Sequence, residues 1–214
     1  MLKNIPVFST EYGVGSLILR EIPYKQIAYV KIQSSETPKE FVDECRQFCR
    51  MAGAEKIYAA GHNYLESYPL NTAIIRMTAD SGSLPDTDAA LMPVTEQTLE
   101  QWLKIYNERM FAVDNAAFKD SADGKTLLQN GNGYFVHRDQ TLLGVGIAGG
   151  DTIDAVVSVV PGAGRDVVLA LNHAISGDQV ILDVASTNSR AISLYEKLGF
   201  VAIRELSRWY DISR

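Results

Sequence analysis

Apolar positions along this chain alternate between two spacings, and each change of spacing marks an element. Residues 15–33, GSLILREIPYKQIAYVKIQ, carry two β-rich runs around the Pro23-Tyr24 corner and predict a hairpin. A helix follows, with Thr37 as N-cap, Pro38 in the first helical position and Glu40 completing a capping box. Phe41, Val42, Cys45, Phe48 and Cys49 keep helical spacing, and Gly53 marks the stop. KIYAAG (56–61) and TAIIRMT (72–78) read as strands on either side of an irregular stretch. ADSGSLPD (79–86) is small and polar, with Gly and Pro, and marks the boundary between two halves.

Beyond it, DAALMPVT predicts a strand leading to a Thr95 cap, and Leu99, Trp102, Leu103, Tyr106 and Met110 form the stripe of a long helix. Residues 111–130 suggest a second, less regular helix. Tyr134–Val136 and Thr141–Ile147 make a hairpin around Arg138-Asp139. TIDAVVSVV (152–160) and QVILDVAS (179–186) have the composition of strands buried on both faces. A helix lies between them at 161–175, and NSRAISLYEKLGF (188–200) forms another before a final strand. The result is a mixed α/β layer architecture. Hairpin, helix and strand at 15–60 echo hairpin, strand, helix and strand at 133–185, in element order and not in residue identity.

Composition narrows the function classes. Hydrophobic residues make up 46% and charged residues 21%, as expected of a protein with a real core. No apolar run approaches the roughly 18 residues a membrane span needs. The opening MLKNIPVFSTEYGVG lacks a signal-peptide pattern, so the expected location is cytoplasmic. A formal net charge of −6 without a basic block argues against nucleic acid as partner. Cys45 and Cys49, four apart on an apolar helix face, read as core thiols and not as metal ligands.

Two stretches carry chemistry. In VVPGAGRDVV (159–168) a strand meets a helix through Gly162-Ala163-Gly164. Glycines let a ligand approach the backbone, and the free amides of a first helical turn hold phosphate. The same residues also suit a plain tight turn, and neither a dinucleotide fingerprint nor a Walker loop is present. In NSRAISLYEKLGF, Asn188 can cap its helix or offer its amide to a ligand. Tyr195 lies about two turns on, on the same side, and Gly199 ends the helix before Phe200.

Asn188, Ala191, Leu194, Tyr195, Gly199 and Phe200 resemble the C-terminal motif of the GNAT (GCN5-related) N-acetyltransferase superfamily, preceded at the right distance by the strand–GxG–helix unit. The resemblance covers roughly residues 87–214 as a complete GNAT acetyltransferase domain. Residues 1–80 resemble only a partial, degenerate GNAT-like half. It implies the acyl-CoA N-acyltransferase fold, a mixed central sheet flanked by helices. It also implies an acetyl-CoA co-substrate and a small-molecule or peptide amine acceptor. By the same resemblance the strand ending at Val159-Val160 parts from the one at 180–185, and the pantetheine arm pairs in the gap. The backbone N–H near Val159 would stabilise the acyl oxygen, and the amides of Gly162, Ala163, Gly164 and Arg165 would hold the pyrophosphate. Asn188 and Ala191 would contact the cofactor, and Tyr195 would act as general acid. The family's loop carries more residues between its Pro and its glycines, with an Arg or Gln. Here Pro161 abuts Gly162, leaving Arg165 to supply the charge.

For the base that deprotonates the amine, His137 and Asp154 are the candidates, beside their bland readings as a hairpin residue and a strand-edge carboxylate. Asp183 is expected to be a buried structural carboxylate, His173 to face solvent, and Trp102 and Tyr106 to be core. The expected function is acetyl transfer from acetyl-CoA to a primary amine. The alternative is a catalytically inactive GNAT-fold binding or regulatory protein. Helix 38–52 could also serve a homodimer interface.

Overall fold

A computed structural model describes residues 7–214, so the first six residues of the expected N-terminal half lie outside the described residues. In chain order the first elements are β1 (Val7–Thr10), β2 (Gly13–Ile18), α1 (Ile22–Lys25), β3 (Ile27–Ser34), α2 (Pro38–Met51), β4 (Lys56–Ala60) and β5 (Leu70–Asp80). There follow β6 (Ala90–Pro93), α3 (Leu99–Met110), α4 (Ser121–Asn130), β7 (Gly133–Arg138), β8 (Thr141–Gly149) and β9 (Thr152–Ser158). The chain closes with α5 (Gly164–Asn172), β10 (Gln179–Ala185), α6 (Ser189–Lys197) and β11 (Val201–Asp211). No helix among the described residues is long and apolar enough to cross a membrane.

Two compact units emerge, one of residues up to Ile74 with Glu205–Arg214 and one of Ile75–Arg204. The sequence had placed the border at 79–86. That polar stretch is instead tied to the second unit: Ser81 N–H donates to Asp178 O at 2.9 Å, and Asn172 Nδ2 donates to Ser81 O at 3.0 Å. The C-terminal residues join the first unit because Tyr210 and Ile212 are buried in its core and Ile212 N–H donates to Ile57 O at 3.0 Å.

In the first unit the strands run β1-β2-β3-β4-β11. The predicted β2–β3 hairpin is antiparallel, with the one-turn helix α1 at its corner. β3 and β4 then pair in parallel without interruption from Ile27↔Lys56 to Lys31↔Ala60. Helix α2 buries Phe41, Val42, Cys45 and Cys49, each worth about 1.5–3 kcal/mol when it is a large apolar side chain. Phe41 sits over Gly13 and Gly15, where a Cβ would come within 2.9 and 3.2 Å of its ring. Phe48 differs from its stripe and is 39% exposed, its ring tilted at 49° against Phe8 with centroids 5.2 Å apart. The expected capping box is not made: Thr37 has φ −121°, ψ 69° and no side-chain cap bond. The stop is as read, with Gly53 at φ +97°, Gly53 N–H bonded to Arg50 O and Ala54 N–H to Cys49 O, a Schellman motif.

In the second unit the order is β5-β10-β9-β8-β7-β6. Its sheet is covered on both faces. Trp102 and Tyr106 of α3, stacked at 5.3 Å, pack with Leu127 of α4 on Phe135, Val145, Ala155 and Val157. On the other face α5 and α6 pack on Val136, Leu143, Val180, Leu182 and Val184. β8 presents Gly144 and Gly146 to α5, where a Cβ would meet Val167 at 2.8 Å and Leu171 at 2.4 Å, so the helix lies directly on the backbone. Two helix starts differ from expectation. α3 begins after Thr98, because Thr95 N–H is bonded to Thr98 Oγ1 in a turn. Residues 111–120 are not helical, and α4 starts from a capping box of Asp120 and Asp123.

Candidate active site

β9 and β10 are parallel neighbours with a single register pair, Ile181↔Thr152. Next to that pair β9 carries a bulge: Ala155 faces Ile147 and Ile153 faces Ala148, leaving Asp154 as the extra residue. A bulge bends its strand and sharpens its twist, which explains why β9 leaves β10 after one pair. β9 is buried on both faces as read, with Ala155 and Val157 toward α3 and Ile153 and Val156 toward the α5–α6 side. β10 buries Val180, Leu182 and Val184 on one face only. Asp154 and Asp183 are exposed, and they line a cavity of about 130 Å³ at the root of the parting with Arg76, Thr152 and Ile181. Asp183 is a structural carboxylate as read but not a buried one. It accepts from Arg76 Nε at 2.8 Å and Nη2 at 2.9 Å, and this pairing raises the Arg76 pKa.

At the other end of β9 the chain turns within Val160-Pro161-Gly162-Ala163. Pro in the second position, Gly162 at φ +85° and the Ala163 N–H to Val160 O bond at 3.2 Å fit a type II turn. The abutting Pro161-Gly162 is thus a complete turn that delivers the chain straight into α5. Ala163 spends its amide on this turn, a correction to its expected place among the phosphate donors. Among the described residues the amides of Gly162, Gly164, Arg165 and Asp166 have no backbone acceptor. The Asp166 carboxylate faces Arg138 Nη2 at 2.8 Å and so is neutralised beside these donors. Arg165 is half-exposed, as a residue free to meet a ligand must be. A Cβ at Gly162 would meet open space, and one at Gly164 would come within 3.2 Å of Leu194 of α6. Free amides at a helix start, a glycine facing open space and an unpaired strand edge fit the diphosphate and amide-bearing arm of a coenzyme A thioester.

The Val159 N–H, expected to face the acyl oxygen, donates instead to Leu143 O at 2.9 Å. Its carbonyl accepts from Arg109 Nη2 at 3.1 Å. Strand alternation turns the polar groups of Ser158 and Val160 to the opposite edge, toward β10. Ser158 Oγ donates to Val160 O at 2.7 Å.

Helix α6 explains its own sequence. Asn188 Oδ1 caps it by accepting from Ala191 N–H at 3.2 Å. Asn188 Nδ2 stays available, whereas Ala191 offers only its methyl. At the far end Gly199 has φ +95°, Gly199 N–H bonds Glu196 O and Phe200 N–H bonds Tyr195 O, a second Schellman motif. The apolar contact that accompanies such a motif is Tyr195 on Phe200, ring centroids 5.7 Å apart. Tyr195 is buried, burial pushes its phenol up to about 12, and its hydroxyl makes no hydrogen bond within the described residues.

Of the two base candidates, Asp154 lies at the parting, and His137 lies on β7, two strands from β9. His173 is 47% exposed and faces Asp86, and Trp102 and Tyr106 are core, as read. Nothing in the sequence points to Arg109, or to Asp114, whose carboxylate accepts from Thr187 Oγ1 at 2.7 Å next to Asn188. Arg109 lies on the last turn of α3 and Asp114 just beyond it, and only tertiary structure assigns either a partner.

Residues 160–210 match the FR47-like protein family, a span that runs from the turn through α5, β10 and α6 into β11. Several solved structures share the fold. A conserved protein of unknown function from Staphylococcus epidermidis ATCC 12228 is 11% identical over 95% of this chain and 91% of its own, with a TM-score of 0.58. A GCN5-related N-acetyltransferase from Sphaerobacter thermophilus is 11% identical over 93% and 76%, TM-score 0.57. A tandem GNAT protein from the clavulanic acid biosynthesis pathway is 12% identical over 94% and 79%, TM-score 0.52. No curated protein matches in sequence. The chain has the GNAT fold.

Proposed function

We propose that this protein is an N-acyltransferase that passes an acetyl group from acetyl-CoA to a primary amine. One observation carries the reading: β9 and β10 pair once and then part, beside a helix start with free amides and a buried tyrosine. Acetyl-CoA, when bound, supplies an acyl group activated as a thioester. The amides of Gly162, Gly164, Arg165 and Asp166 hold the pyrophosphate, with Arg165 adding charge. The free edge of β9 pairs with the pantetheine amides, and Asn188 Nδ2 offers them a further donor. Asp154, open to the parting, takes the proton that the amine must lose.

Tyr195, held near 12, stays protonated through neutral pH and meets the departing sulfur as a donor. A free thiol has a pKa of about 8.5, so the phenol yields its proton fully only to a thiolate raised by the same burial. Tyr195→Phe should lower turnover about 10-fold or more and leave the affinity for coenzyme A within about twofold.

The reading is tested by calorimetric titration with acetyl-CoA, then by thiol release in the presence of a panel of primary amines. Micromolar binding, about −8 kcal/mol, followed by amine-dependent release is expected. An absence of binding sinks the reading. Binding without release for any amine would favour a cofactor-binding protein without turnover, a role consistent with a Val159 N–H consumed by Leu143.

A further inference from the structure

The peptide joining Val159 to Val160 is held in an unusual way. Its carbonyl is gripped by a charged side chain from another element, Arg109 at the end of α3, with Nη2 3.1 Å from Val159 O. A trans peptide is planar, and its oxygen and its amide hydrogen point in opposite directions. Fixing the Val159 oxygen therefore aims the Val160 N–H away from Arg109. The Val159 N–H is turned to Leu143 on β8, so alternation places the Val160 N–H on the β10 side, facing the parting. The next carbonyl, Val160 O, is fixed as well, accepting from Ser158 Oγ at 2.7 Å and Ala163 N–H at 3.2 Å. Between two anchored carbonyls, the Val160 N–H has no acceptor among the described residues.

A guanidinium on the oxygen of a peptide does more than hold it. It draws electron density toward the carbonyl and leaves the amide hydrogen of the same unit more positive, a stronger donor. We infer that Arg109 is a positioning residue of acyl transfer. It aims and polarises the Val160 amide, which receives the negative charge developing on the acyl oxygen. This assignment rests on the acyltransferase reading, and it moves the oxyanion donor one residue on from Val159.

The bland role for Arg109 is a tie between α3 and β9, so the test needs a signal that a tie would not move. Wild type, Arg109→Met and Arg109→Lys are each loaded with acetyl-CoA carrying carbon-13 at the thioester carbonyl. The infrared band of that carbonyl is read along with coenzyme A affinity, thermal midpoint and turnover with any amine that the wild type acetylates. In the wild type the bound band should lie below its solution frequency. In Arg109→Met it should return most of the way, with turnover down about 10- to 100-fold and affinity within twofold. Arg109→Lys, still a charged donor, should recover part of both. An unmoved band, or a turnover loss matched by equal losses of affinity and thermal midpoint, overturns the assignment and leaves Arg109 a structural tie. Wild type that binds no acetyl-CoA overturns the acyltransferase reading itself, and this assignment with it.

Discussion

Replacing Tyr195 by Phe should make the protein more resistant to alkali. The phenol is pushed from its ordinary 10.0 up to about 12 by burial. A group whose folded pKa is raised leaves stability untouched below the unfolded value and removes it as pH climbs through the folded one. At pH 7 both states are protonated, and Tyr195 contributes nothing through this route. By pH 11 the unfolded chain has ionised most of this side chain and the folded one little of it, a loss on the order of 1 kcal/mol. Past pH 12 the loss levels off at a few kcal/mol, on the order of 3. The Phe variant keeps the contact with Phe200 and lacks this term. Burial also raises Cys45 to about 12 and Cys49 to about 11, but they are common to both proteins and cancel in the difference. The assay is urea unfolding of both proteins at pH 7, 10 and 11, followed by near-ultraviolet dichroism. The two should start within about 1 kcal/mol of each other and separate in favour of Phe as pH rises. If their midpoints fall in parallel from pH 7 to 11, the phenol is solvated in the folded state and the argument that it stays a proton donor at neutral pH fails.

Three further substitutions probe the rest. Gly61→Ala places a Cβ 2.3 Å from Ile32 O at a residue with φ +102°, so thermal unfolding should show a loss of at least about 2 kcal/mol; a loss under half of that would mean that β3 and β4 yield easily. Asp154→Asn keeps the bulge and removes the charge, so turnover should fall about 10-fold or more with coenzyme A affinity and thermal stability nearly unmoved; an unaltered turnover removes Asp154 as base. Asn188→Ala deletes the cap on Ala191 and should cost about 1 kcal/mol, and a far larger loss by chemical denaturation would indicate a contact beyond the cap.

The sequence was legible wherever local chemistry sufficed. Gly53 and Gly199 end helices because a left-handed residue satisfies orphan carbonyls there. Apolar spacing finds the core of α2, α3 and α5. It failed where a partner comes from far along the chain. Nothing near Val159 tells that Leu143 takes its amide and Arg109 its carbonyl. Nothing near Asp183 tells that Arg76 reaches it, an ion pair that lets a carboxylate sit on an open strand face in a stretch that otherwise reads as buried. Thr37-x-x-Glu40 had the letters of a capping box, but the Thr37 backbone does not form it. A capping box does form at Asp120-x-x-Asp123, although the stretch before it reads as helix in the sequence.

β11 has a consequence for how the chain comes to be folded. The first unit is encoded first, yet it contains Glu205–Arg214. Ile212 is fully buried in its core, Ser213 Oγ accepts from Ile57 N–H at 2.9 Å, and Arg50 donates to Ser213 O at 2.7 Å. On the ribosome the order of synthesis and the order of completion must therefore differ. The contiguous unit, Ile75–Arg204, has all its strands once α6 and the start of β11 emerge, while its predecessor waits with an open edge at β4. During that wait β4 presents unpaired backbone and the apolar Ile57 to the cell, the condition in which nascent chains recruit chaperones or pair with one another. Loss of Ile212–Arg214 would thus harm the unit of which most is translated before its neighbour.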